Sequence, residues 1–77
     1  MSYEYKIEHY GALEPDLKKI ETLAGSEIFN TLEFMVSIES ESTIIASISG
    51  TDKSRVAFSK LIQYMLSISD SIVVHDL

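Results

Sequence analysis

One stretch of this chain combines the residue types of a phosphate-binding loop. In ISGTDKSR, Ile48 to Arg55, a strand-like run ends in Gly50, Thr51 follows, and a helix is predicted to begin. A phosphate-binding loop of the nucleotide-hydrolase type needs a second glycine and a Gly-Lys-Ser/Thr ending, and this stretch has neither. Thr51 instead suits the N-cap of a helix, where Asp52 would favour the positive helix end and repel a phosphate. We therefore interpret the stretch as a helix cap.

Two histidines are the candidates for general-base or metal-ligand chemistry. His9 lies near the end of the first predicted strand, and His75 lies in the last one. Antiparallel pairing of these strands would place His75 opposite Tyr5 or Tyr3, away from His9. No serine, histidine and acidic residue are spaced to meet, as nucleophilic catalysis requires. We expect no catalytic residue and no enzymatic activity; the remaining enzymatic alternative would use His9 or Glu8 as an acid or base.

Composition limits the classes of partner and compartment. The 77 residues predict a single domain, 1–77, and the chain contains no cysteine for a disulfide, a thiolate nucleophile or a zinc ribbon. Twelve acidic and six basic residues give a net charge of −6, which disfavours nucleic acids and anionic membranes. The sequence begins without a secretory signal pattern and lacks an apolar run long enough to span a bilayer. We expect a cytoplasmic protein.

Hydrophobic periodicity predicts six elements. Strict alternation indicates strands at YEYKIEHY, TLEFMVSIE and TIIASIS, with IVVH as a final strand. Helical spacing indicates one helix in EPDLKKIETLAG, with Pro15 in its first turn, and another over about 52–68. In the second strand the inward set is Leu32, Phe34, Val36 and Ile38. The order β-α-β-β-α-β predicts a ferredoxin-like α+β sandwich, in which two helices cover one face of an antiparallel sheet of order 4-1-3-2.

Half of the acidic residues are predicted to gather at one end of this fold. This acidic rim consists of Glu8, Glu14, Asp16, Glu39, Glu41 and Asp70, at the ends of strands and in the loops between them. Several carboxylates close together could hold Ca²⁺ or Mg²⁺, but they come from separate loops and no calcium-binding loop pattern is present. We expect no metal and no cofactor, and a rim that is solvated or that docks on a basic partner.

The face of the sheet without helices is the second candidate surface. Its predicted apolar residues are Tyr10, Met35 and Ile45. The last strand is predicted to turn either Ile72, Val74 and Asp76 or Val73, His75 and Leu77 to this face. RNA-recognition modules of this topology stack bases on aromatic residues of the central strands, and TIIASIS has none. We expect no RNA binding. The face suits contact with another protein instead.

Two functions therefore stand as expectations. The first is a small acidic adaptor, chaperone or inhibitor that docks on a larger protein through Tyr10, Met35 and Ile45; the edge of the second strand could also pair with a partner or a second copy. The second follows from a resemblance: YGALEPDLKKIETLAGSEIF resembles the glycine-turn, helix, glycine and strand pattern of ACT domains. That resemblance implies a regulatory domain that binds a small metabolite near Tyr10, Gly11 and Ala12, at a dimer interface.

Overall fold

The fold is a four-stranded sheet with two helices. The structure, a computed structural model, describes residues 2–11 and 14–77. Its elements in chain order are β1 (Tyr3–Tyr10), α1 (Leu17–Ala24), β2 (Phe34–Ser40), β3 (Thr43–Ile48), α2 (Asp52–Ile68) and β4 (Ser71–Asp76). The strands form one antiparallel sheet of order β2-β3-β1-β4, which reads 4-1-3-2 from the β4 edge. The predicted α+β class and element order are confirmed.

The core lies between one face of the sheet and the two helices. Tyr5 is opposite Ala46 and Ile7 is opposite Ile44, so the apolar positions of the two central strands share that face. The buried apolar residues are Ile7, Ile20, Ile28, Phe34, Val36, Ile44, Ala46, Ile48, Ala57, Leu61 and Met65. Because α1 and α2 both contribute to this one cluster, both helices cover the same face of the sheet.

The second strand begins later than predicted, and local hydrogen bonds explain the difference. β2 begins at Phe34, and Leu32 is 90% exposed instead of facing the core. The preceding turn is held by the Thr31 hydroxyl, which donates to the Ile28 carbonyl and accepts from the Glu33 amide.

The first helix also begins later than the pattern suggested. α1 starts at Leu17, because the Asp16 carboxylate caps it by accepting a bond from the Lys18 amide. Pro15 therefore lies outside the helix instead of in its first turn. An N-cap residue has extended backbone, so Asp16 itself cannot be part of the helix.

The predicted helix cap at Thr51 is confirmed. Its hydroxyl accepts a hydrogen bond from the Ser54 amide, and α2 begins with Asp52. The Gly50 amide donates to the Ser54 hydroxyl at 3.0 Å, and the Arg55 Nε donates to the Gly50 carbonyl at 3.0 Å. The backbone groups of Gly50 and the hydroxyl of Thr51 therefore bond to the first turn of α2, as in an ordinary helix cap.

Candidate functional site

The candidate site is the face of the sheet that carries no helix, which we call the outer face. Residues opposite one another in an antiparallel pair share a face, and Val73 lies opposite Glu8 while His75 lies opposite Lys6. This pairing resolves the orientation of β4, with Val73 and His75 outward. The outer face consists of Glu4, Lys6, Glu8 and Tyr10 from β1, Met35 and Ser37 from β2, Thr43, Ile45 and Ser47 from β3, and Ser71, Val73 and His75 from β4.

Two of the three predicted contact residues are neighbours on this face. Ser37 lies opposite Ile45, and Met35 lies opposite Ser47, so Met35 and Ile45 are diagonal neighbours across the β2–β3 pair. Met35 is 43% exposed and Ile45 is partly exposed. We call these two side chains the apolar pair.

Tyr10 does not join the apolar pair. The β1 residue opposite Ile45 is Lys6, and Tyr10 lies four positions further along that strand, roughly 13 Å away at the usual rise of a strand. A charged row formed by Glu4, Lys6 and Glu8 runs down β1 beside the apolar pair. The outer face is thus divided, with the apolar pair on its β2–β3 half and Tyr10 at the end of β1.

A hydrogen-bonded cluster connects β1 with β4 on the outer face. The Tyr10 hydroxyl donates to the Glu8 Oε2 at 2.9 Å, and the His75 Nε2 lies 2.5 Å from the Glu8 Oε1. The bonds from Tyr10 and His75 lower the pKa of Glu8 below its ordinary value of 4.5. The same carboxylate raises the pKa of Tyr10 above 10.0. The cluster therefore favours an ionised Glu8 and a neutral Tyr10.

These shifts predict how the cluster depends on pH. A carboxylate with a lowered pKa stabilises the fold above its unfolded pKa, and the contribution disappears as the pH falls through the folded pKa. The stability difference between the wild-type protein and Glu8→Gln should therefore shrink as the pH falls below 4.5. Urea unfolding of both proteins across this range measures it.

The titration of the Tyr10 phenol tests the same cluster independently. In Glu8→Gln the negative partner of Tyr10 is gone, so the pKa of Tyr10 should fall back toward 10.0, as followed by NMR titration. Glu4→Gln, on the same strand and face, is the control and should leave Tyr10 unchanged. An unchanged Tyr10 titration in Glu8→Gln would mean that the cluster does not form in solution.

The two histidines occupy opposite faces of the sheet. The prediction that His75 faces Tyr5 or Tyr3 was wrong, because the pairing is shifted so that His75 meets Lys6 and its ring reaches Glu8. His9 points inward and is 5% exposed. Its Nε2 and the Ser69 hydroxyl are buried without a hydrogen-bond partner among the described residues. His9 and His75 therefore do not form a joint site.

The residues of the predicted acidic rim fall into several local environments. Glu8 belongs to the outer-face cluster, and Asp16 caps α1. Glu14 and Glu41 line one surface cavity together with Pro15, Ile38 and Ser40. Glu39 is exposed and lies at the irregularity in β2, between Ile38 and Ser40. The Asp70 amide donates to the Tyr10 carbonyl.

Across residues 2–11 and 14–77, no three His, Asp or Glu side chains are grouped in a way that could hold a metal ion.

Formal charge is divided unevenly between the helices and the rest of the chain. The helices contain the basic residues Lys18, Lys19, Lys53, Arg55 and Lys60 and the acidic residues Glu21 and Asp52. Five basic and two acidic residues give the helices a formal charge of +3. The net charge of the whole chain is −6, so the strands and loops together have a charge of −9. The acidic character predicted from composition is therefore concentrated away from the helices.

Comparisons with known proteins give no relative from which a function could be carried over. The chain matches no protein family, and neither curated proteins nor solved structures match it significantly. Of the two helices in the part that the structure describes, neither is long and apolar enough to cross a membrane. The functional argument therefore rests on the residues of the outer face and on the distribution of charge.

Proposed function

We propose that this chain is a non-enzymatic protein-interaction module, an adaptor, chaperone or inhibitor, that docks on a larger protein through its outer face. The apolar pair of Met35 and Ile45 forms the centre of the contact. The partner offers an apolar group to this pair and basic groups to the surrounding carboxylates. The fold that presents this surface is a ferredoxin-like sandwich.

The observation that carries the proposal is the position of the apolar pair on the outer face, next to charged side chains of β1. Isolated exposed apolar residues are normal on protein surfaces, so Met35 alone would carry little weight. Here two apolar side chains are neighbours, and the charged row of Glu4, Lys6 and Glu8 lies beside them. Protein interfaces commonly combine an apolar centre with a polar rim that sets specificity and association rate.

The test is binding by a double variant, Met35→Lys and Ile45→Lys. Both side chains reach the surface, so lysine can extend into solvent and the fold should persist. In the complex the two ammonium groups would be buried against the partner and would oppose its basic groups. We expect at least about 30-fold weaker binding, the effect of losing about 2 kcal/mol at the centre of an interface. Capture from cell extract followed by calorimetry with the captured protein measures it.

A matched control uses the same substitutions on the helix layer. Val56 and Leu66 are 53% and 52% exposed on α2, so Val56→Lys with Leu66→Lys adds the same charge elsewhere. The control should capture the same protein as the wild-type chain with unchanged affinity. Equal binding by all three proteins, or equal loss in both variants, would contradict docking through the outer face.

The alternative function, metabolite binding beside the loop after β1, has one observation in its favour. The buried His9 Nε2 lacks a partner among the described residues, so a ligand could supply one. Two predicted residues have other roles, because Tyr10 bonds Glu8 on the outer face and Gly11 packs against the backbone of Ser69 and Asp70; Ala12 lies outside the described residues. Thermal stabilisation by a metabolite, abolished in His9→Leu, would favour this alternative.

A further inference from the structure

The strand β4 lies at one edge of the sheet, and its outward backbone groups have no strand partner among the described residues. The His9 amide donates to the Ser42 carbonyl, so the odd residues of β1 bond toward β3 and its even residues bond toward β4. The Leu77 amide donates to the Glu4 carbonyl, which agrees with this alternation. In β4 the residues that bond β1 are therefore the odd ones. The N–H and C=O groups of Ile72, Val74 and Asp76 point away from the sheet.

The opposite edge of the sheet is obstructed. At the start of β2, Phe29 forms a bridge with Phe34, and the Thr31 amide donates to the Phe34 carbonyl. At its other end the pairing is irregular between Ile38 and Ser40, which interrupts a regular edge. Natural sheets use such devices to prevent pairing with other chains. β4 has no irregularity in its register with β1 and carries Ile72, Val73 and Val74 in succession.

We propose that β4 pairs with β4 of a second copy of this chain, antiparallel and across a two-fold axis at Val73, to form a continuous eight-stranded sheet. The two-fold axis keeps the outer faces of both copies on the same side. Val73 then lies opposite Val73 of the second copy, and Ile72 lies opposite its Val74. The outward N–H and C=O groups of Ile72 and Val74 satisfy one another across this junction.

Self-complementarity of the sequence selects this register. Ser71 lies opposite His75 of the second copy, so residues 71–75 meet without like charges face to face. The pairing ends there, because Asp76 would otherwise lie opposite Asp70 of the second copy. A two-fold axis at Val74 would instead place Ile72 opposite Asp76. Val73 and Val74 are 44% and 43% exposed in the single chain, so each gains burial from a valine or isoleucine of the second copy.

The dimer and the proposed docking surface occupy different parts of the sheet. Met35 and Ile45 lie on β2 and β3, which are separated from β4 by β1. Pairing through β4 leaves both apolar pairs exposed on one continuous face, so the dimer would present two docking surfaces to its partner. The dimer does not depend on the proposed docking function and is tested by other variants.

Sedimentation of the whole chain tests the dimer. The wild-type protein should sediment as a dimer that dissociates on dilution, because a single pair of edge strands buries a modest area. Val73→Lys places two ammonium groups opposite each other at the two-fold axis and should give a folded monomer, since Val73 is already 44% exposed. Val56→Lys, at 53% exposure on α2, is the matched control and should remain dimeric. A monomeric wild-type protein, or a dimer that persists in Val73→Lys, would overturn the proposal.

Cross-linking tests the register, because the chain has no cysteine of its own. Val73 belongs to a non-hydrogen-bonded pair at the proposed axis, where Cα atoms lie about 4.5 Å apart, within the range that a disulfide spans. Mild oxidation of Val73→Cys should give a covalent dimer much faster than oxidation of Val56→Cys. Faster cross-linking of Val74→Cys than of Val73→Cys would overturn the register, and equal rates in Val73→Cys and Val56→Cys would overturn the pairing.

Discussion

Replacing Phe34 with alanine is expected to destabilise the fold by about 3–5 kcal/mol, the usual cost of removing a buried aromatic ring. Phe34 is fully buried where β2 begins, lies opposite Ile48, and has its ring centroid 6.3 Å from that of Phe29. A small domain has a total stability of about 5–15 kcal/mol. The variant should therefore be largely unfolded at temperatures that the wild-type protein tolerates.

Leu32→Ala is the control that makes this prediction specific to the observed fold. Alternation in the sequence assigns Leu32 and Phe34 to the same inward face, but Leu32 is 90% exposed. Its truncation should change the free energy of unfolding by no more than about 0.5 kcal/mol. Urea unfolding of both variants gives the comparison. A cost for Leu32→Ala that approaches the cost for Phe34→Ala would mean that β2 begins earlier and continues the predicted pattern.

The alternation of apolar and polar residues was enough to predict the sheet and its layers. Tyr5 and Ile7 in β1, and Ile44 and Ala46 in β3, do face the core as their spacing indicated. The pattern failed where side chains bonded to nearby backbone, as Asp16 does in capping α1 and Thr31 does in the turn before β2. Such local bonds compete with regular structure and leave no periodic signal.

The arrangement of the candidate site could be predicted only in part. Glu8 and Tyr10 are two residues apart on one strand, so period-two spacing alone places them side by side on the outer face. The contact between His75 and Glu8 depends on the register between β1 and β4, because a shift of one residue would turn the imidazole ring toward the core. The positive formal charge of the helices likewise became visible only when the helix boundaries were fixed.

Gly11→Ala is the second change for which we expect a large effect. A Cβ atom at Gly11 would lie 2.8 Å from the Asp70 backbone nitrogen and 2.9 Å from the Ser69 Cα. Both neighbours are backbone atoms, so the collision cannot be relieved by turning a side chain. The Asp70 amide donates to the Tyr10 carbonyl at 2.7 Å, and this bond joins the end of β1 to the entry of β4. We expect overpacking of about 1–3 kcal/mol, added to the cost of the backbone conformation.

Gly25→Ala measures the cost of the backbone conformation without a steric collision. Gly25 also has a positive φ, of 100°, but nothing lies within 4 Å of the position its Cβ would take. Its replacement should therefore cost only the backbone strain, about 1–3 kcal/mol. Hydrogen exchange distinguishes the variants further, because Gly11→Ala should lower the protection of β4 amides bonded to β1, while Gly25→Ala should not. Equal losses in the free energy of unfolding and equal amide protection in both variants would show that the end of β1 does not contact the turn before β4. The pairing edge proposed for β4 depends on that contact, since a β4 displaced from β1 could not present Ile72 and Val74 in register to a second copy.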